Sequence, residues 1–161
     1  MIKANFFASL LAIAATLGTA HAAQVMGANC PIENNGTFGE TASHQDVICA
    51  NGKWQDAKTL PVATVHVAKY SATKALDASY GATQIIGVRS IRQNSDGHGQ
   101  FTLVTTVVGF NSDNTAHVVV DLDDAGWKKH IDANVSLDKP TPIATGNDGE
   151  EYRVTVERMR S

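Results

Sequence analysis

Four histidines, His66, His98, His117 and His130, and the carboxylates clustered at Asp121–Asp124 are the side chains of this 161-residue chain with the clearest chemical potential. A zinc site needs three or four converging His, Cys or carboxylate ligands at short, regular spacings. None of the four histidines forms a His-x-His or His-Glu-x-x-His pair, and Cys30 and Cys49 supply no second ligand set. They read as half-buried polar residues on strand faces. Asp121-Leu-Asp-Asp-Ala-Gly126, with Asp113 nearby, hints at calcium but lacks the twelve-residue loop and closing glutamate of an EF-hand. It reads better as an acidic helix start. Asp96-Gly-His98-Gly has the residue types of a small hydrolase loop and equally those of an ordinary hairpin connection, the favoured reading. There is no Gly-x-Ser-x-Gly elbow, and Gly36-Thr-Phe-Gly39 is not a phosphate loop, because no strand precedes it and no Lys-Ser/Thr helix follows. No catalytic residue, metal or cofactor is expected.

These residues must be positioned by a chain that begins with a processing signal. Met1–Ala22 has one charge (Lys3), an apolar run over Phe6–Leu17 and the ending Thr-Ala-His-Ala, the pattern of a bacterial secretory signal peptide. The run is shorter than the ~20 residues of a membrane span. Its removal leaves 139 residues, one domain's worth, with 12 basic and 16 acidic side chains. No basic run or basic–aromatic stripe exists, which argues against nucleic acid or anionic lipid as partner. The expected location is periplasmic or secreted.

Two cysteines in an oxidising compartment should pair, and Cys30–Cys49 would stabilise a turn-rich loop of about 20 residues by on the order of 3 kcal/mol. Asn51-Gly52 follows, a type I′ hairpin signal. It brings Trp54 close to Ile48, with the indole over the disulfide. Cys30–Trp54, about a sixth of the chain, resembles the Cys…Cys-x-Asn-Gly-x-Trp module of bacterial type IV pilin-like tip proteins and shufflon adhesins. The resemblance implies a peripheral or tip-like role, since a pilin's long hydrophobic N-terminal helix is absent.

Residues 23–60 thus form a stapled N-terminal segment, and Pro61 opens an antiparallel β domain over residues 61–161. Val62–Tyr70 alternates as a strand, with Ala63, Val65, Val67 and Lys69 on one face. Ser71–Tyr80, with a capping serine and Gly81 as stop, predicts a short helix. Residues 83–93 predict a strand interrupted by Gly87, where a bulge or a close approach of neighbouring backbone is expected. Asn94–Gly99 predicts a loop.

Phe101–Leu122 then predicts a hairpin around Asn-Ser-Asp-Asn at 111–114. Phe101, Leu103, Thr105 and Val107 would face Leu122, Val120, Val118 and Ala116 on the core side. The other side is mixed: Val104, Thr106, Val108 and Phe110 beside His117, Val119 and Asp121. A helix is expected to begin at Asp123 or Asp124, burying Trp127 and Ile131. A short strand over Ala133–Leu137, a loop over Lys139–Gly149, and a final strand Tyr152–Met159 complete the chain.

The expected fold is mainly β (β-rich α+β): an antiparallel meander in a small sandwich or barrel, with one or two short helices and one disulfide. The expected function is non-enzymatic binding or assembly, pilus-associated, adhesin-like or secretion-accessory, with a protein or cell-surface glycan as partner. A periplasmic inhibitor or immunity protein acting on a hydrolase or toxin is the alternative. Trp54, Val104, Val108, Phe110, His117 and Val119 are the expected contact surface.

Overall fold

The computed structural model describes residues 23–96 and 99–159, so Met1–Ala22 and His98 lie outside the described residues. The chain opens with a small three-stranded antiparallel sheet: β1 (Phe38–Glu40), β2 (Asp46–Ala50) and β3 (Lys53–Asp56). Asn51 and Gly52 both take positive φ, 50° and 72°, as the two-residue turn between β2 and β3 requires. Trp54 stands opposite Cys49, one residue from the Ile48 expected for it. Cys30 and Cys49 are bonded, and with Val47 and Trp54 they form a separate buried cluster. The disulfide and one indole therefore replace the larger core that so few residues could not build.

The rest is a two-layer sandwich. One sheet has the order β10-β11-β4-β5, formed by Thr141–Thr145, Glu151–Arg158, Val62–Tyr70 and Leu76–Ile85. The other is the meander β6-β7-β8-β9, formed by Arg89–Asp96, Gly99–Phe110, Thr115–Asp124 and Trp127–Ser136. Alternation decides which faces meet. Ala63, Val65 and Val67 of β4 and Tyr152, Val154 and Val156 of β11 pack against Phe101, Leu103, Val107, Val118, Val120 and Leu122. Each fully buried valine contributes about 2 kcal/mol by leaving water. The final strand closes along β4 in register, with Val154 opposite Val67. Across the middle of the core the Thr105 hydroxyl donates to Gln84 Oε1 at 3.0 Å, a polar bridge from β7 to β5.

Neither expected helix of the β domain forms. The short 3₁₀ turn Ile32–Asn34 is the only helical element among the described residues. Ser71 does cap, but it caps a tight turn: its Oγ accepts from Ala75 N at 3.2 Å, and the chain leaves at once as β5. Helix formers yield there because the free edge of β4 needs a hydrogen-bonded neighbour. At Asp123 the supposed cap accepts from Gly126 N, and Ala125 and Gly126 take φ of 49° and 90°, another two-residue hairpin turn. Trp127–Ser136 follows as one long strand that absorbs the short strand expected at 133–137.

Three further boundaries move. The 83–93 strand is cut at Gly87 (φ 80°), where the chain leaves the first sheet and enters the second. The 94–99 loop is mostly ladder, paired down to Asp96 opposite Gly99. The 139–149 loop contains β10, an edge strand that tolerates Pro142 because one side of it needs no donor.

The hairpin of β7 and β8 has its expected core face but a shifted register. Leu103 stands opposite Leu122 and Thr105 opposite Val120, two residues away from the expected pairing, with a bulge at Val108. One extra residue in β7 reverses the side-chain alternation beyond it. Phe110 consequently pairs with Ala116 on the inner side and packs against the core, instead of joining the outer face.

Candidate functional site

A cleft of about 640 Å³ lies at one end of the sandwich, within the range of roughly 300–1,000 Å³ typical of small-molecule sites. Six strands converge there. β4 brings Lys69, the start of β5 brings Asp77 and Tyr80, and β7 brings Phe101. Asp124 closes β8, Trp127 opens β9, and the turn before β11 adds Asp148 and Glu150, with Tyr152 just inside.

Lys69 is the hub. It ends the inward face Ala63-Val65-Val67, so alternation turns its stem into the sandwich and its ammonium out into the cleft. Its Nζ lies 2.7 Å from Asp124 Oδ2, 3.6 Å from Glu150 Oε1 and 3.8 Å from Asp77 Oδ2. Tyr152 heads the inward face of β11, and its hydroxyl donates to the same Asp124 Oδ2 at 2.5 Å. Burial pushes the Asp124 carboxyl upward, but the hydrogen bonds from Lys69 and Tyr152 outweigh it and hold Asp124 below the usual carboxylate value. Burial would likewise lower Lys69; its hydrogen bond to Asp124 and the surrounding carboxylates raise it instead. Burial and the Asp124 carboxylate push the Tyr152 phenol far up. Across the neutral range, then, Lys69 and Asp124 stay charged and Tyr152 stays protonated.

Two stacked ring pairs wall the cleft. Half-buried Tyr80 lies on buried Phe101 with centroids 4.2 Å apart and planes 11° apart. Half-buried Trp127 lies on buried Tyr152 at 5.3 Å and 13°. Each inner ring fixes the orientation of the outer one. Lys69 Nζ sits 6.0 Å from the Tyr152 centroid, at the limit of a cation–π contact.

The surface expected from the sequence is not this one. Trp54 is only 6 % exposed, its ring held against the disulfide, so it serves the interior of the small sheet. Phe110 is turned inward by the bulge, and the Arg158 guanidinium lies over its ring at 4.2 Å. Val104, His117 and Val119 do share the outer face of the meander, half-buried. There His117 Nε2 pairs with Asp132 Oδ1 at 2.6 Å and His130 Nδ1 with Asp121 Oδ1 at 2.5 Å. Val108 is half-buried too, and its carbonyl at the bulge accepts from Asn51 Nδ2 at 3.0 Å. A shallow groove of about 270 Å³ lies beside Val104.

Among the described residues no group of three or more His, Cys, Asp or Glu is placed to hold a metal ion, and no helix is long and apolar enough to cross a membrane. Comparison with protein-family models, curated proteins and solved structures returned no match for this chain.

Sequence reasoning missed Lys69, Asp77, Trp127, Glu150 and Tyr152 as site residues. It also read Asp124 only as part of an acidic helix start. One local signal was present: a lysine and a tyrosine ending otherwise apolar inward faces, where a polar tip must find either a partner or an opening.

Proposed function

We propose that this protein is an exported, non-enzymatic binding module that takes a glycan chain into the cleft at the end of its sandwich. The setting is pilus-associated, adhesin-like or secretion-accessory. The observation that carries the reading is the pairing of rigid aromatic walls, Trp127 on Tyr152 and Tyr80 on Phe101, with the polar floor of Lys69, Asp124 and Glu150. A sugar ring has apolar C–H faces and a rim of hydroxyls, and such a cleft offers a partner to each. The fixed protonation of Asp124 and Tyr152 suits holding a ligand better than shuttling protons, which requires a group that changes state near the working pH. Export is supported by the secretory pattern of Met1–Ala22 and by the Cys30–Cys49 bond, which persists in oxidising compartments.

The test is a glycan array probed with the purified protein, followed by calorimetric titration of any ligand found. Trp127→Ala should weaken binding about tenfold or more, the loss of roughly 1.4 kcal/mol. Absence of any glycan binding by the intact protein, or binding indifferent to Trp127→Ala, would discard the reading.

A further inference from the structure

We infer that the cleft selects glycans carrying free amino groups, drawing the ammonium of an amino sugar to the carboxylates of Asp77 and Glu150 beside the aromatic walls. This rests on the glycan reading of the same cleft and adds the chemical class of the sugar.

The cavity already shows how it holds an ammonium. Lys69 Nζ is gripped by Asp124 and flanked by Glu150 and Asp77, with the Tyr152 ring 6.0 Å away. That one cation does not exhaust the carboxylates. Only Asp124 is within hydrogen-bond distance of Lys69; Glu150 and Asp77, at 3.6 and 3.8 Å, are neighbours in charge alone. Glu150 spends Oε2 on Asp148 N at 3.0 Å, whereas its Oε1 is engaged only in the ion pair with Lys69 at 3.6 Å, without a hydrogen bond. Asp77 keeps a side chain 57 % exposed. Among the described residues the lining thus carries four carboxylates, Asp77, Asp124, Asp148 and Glu150, against one cation, Lys69.

A neutral sugar leaves that excess uncompensated. A sugar ring with one ammonium at its rim lays its apolar face on Trp127 or Tyr80 and delivers a positive charge to the carboxylates that Lys69 meets without a hydrogen bond. Charge-assisted hydrogen bonds of that kind are stronger than the hydroxyl contacts they would replace. The rings contribute further, because their negative faces attract the same cation. A basic peptide would satisfy the charge but not the ring-sized stacking surfaces, so the combination favours the amino sugar.

The experiment is titration of the purified protein with matched oligomers of β-linked N-acetylglucosamine and of its de-N-acetylated form, at low and high salt. A lysine-rich peptide of equal charge serves as control. The amine-bearing oligomer should bind about tenfold tighter than the acetylated one, a difference of roughly 1.4 kcal/mol, and the preference should shrink with salt. Asp77→Asn combined with Glu150→Gln should abolish the preference while the protein still melts cooperatively. Equal affinity for both oligomers overturns the charge selection and leaves the glycan reading standing. Binding of neither overturns the amino-sugar inference, while a positive array result with another sugar would preserve the broader reading. Equal or tighter binding of the peptide overturns the choice of a sugar.

Discussion

The carboxamide of Asn51 occupies the space that a side chain on Gly87 would need: a methyl placed on Gly87 would lie 2.7 Å from Asn51 Cγ. The two residues meet where the small sheet joins the sandwich. Asn51 N donates to Gly87 O at 3.1 Å, and Asn35 Nδ2 donates to the same carbonyl at 2.7 Å. Gly87 N itself donates to Val107 O at 2.7 Å, fastening the corner to the meander. The small disulfide-bonded sheet therefore docks on the sandwich through polar contacts at the very residue where the chain changes sheets.

Gly87→Ala should be costly for two separate reasons. The backbone sits at φ 80°, which an L-residue adopts at about 1–3 kcal/mol of strain. The added methyl also displaces Asn51 and with it the donor to Val108 O. Equilibrium denaturation should show a loss of at least about 2 kcal/mol. A loss under half a kcal/mol would show that the corner is not held as described.

Reducing Cys30–Cys49 removes the brace of a segment whose own buried cluster is four residues. Residues 23–57 should gain hydrogen exchange while the 83–122 ladders stay protected, because the sandwich core draws nothing from the disulfide. If both regions open together, the two cores are one cooperative unit.

Stability should fall in acid, and the sign follows from two carboxyls. Asp124 is held low by Lys69 and Tyr152 despite its burial, and Glu151 is lowered to about 2 by hydrogen bonds from Arg153 and Lys74. A depressed carboxyl favours the folded state above its unfolded pKa of about 4, and that contribution disappears as pH drops through the folded value. Thermal melts from pH 5 to 2 should show a falling midpoint, with a shallower slope in Asp124→Asn. The same slope in wild type and variant would remove Asp124 from this role.

The bulge at Val108 makes neighbouring apolar residues unequal. Phe110 packs against the core under Arg158, so Phe110→Ala should cost about 2 kcal/mol or more. Val104 lies on the outer, half-buried face, so Val104→Ala should cost well under about 1.5 kcal/mol. Paired denaturation curves decide it, and the reverse order would restore the unbulged register.

Much of the fold was written in short stretches of sequence. Period-two alternation placed Ala63, Val65 and Val67, Phe101 to Val107, and Tyr152 to Val156 in the core, because a strand's side chains can go only to one face or the other. Asn51-Gly52 fixed its own turn, because few residue pairs accept positive φ twice. Two cysteines in a turn-rich segment led to the one disulfide. Where a stretch had two acceptable local states, tertiary pairing chose. Ser71–Tyr80 and Asp123–Ile131 could cap and propagate a helix, but neighbouring strand edges offered ladder partners that local propensity does not count. The bulge at Val108, which turns Phe110 inward, is equally silent in composition. The cleft is the extreme case: Lys69, Asp77 and Glu150 belong to one sheet and its turns, Asp124 and Trp127 to the other, and only the stacking of the two sheets brings these groups together. Faces are decided by nearest neighbours along the chain; a site assembled from six strands is decided by how the layers meet.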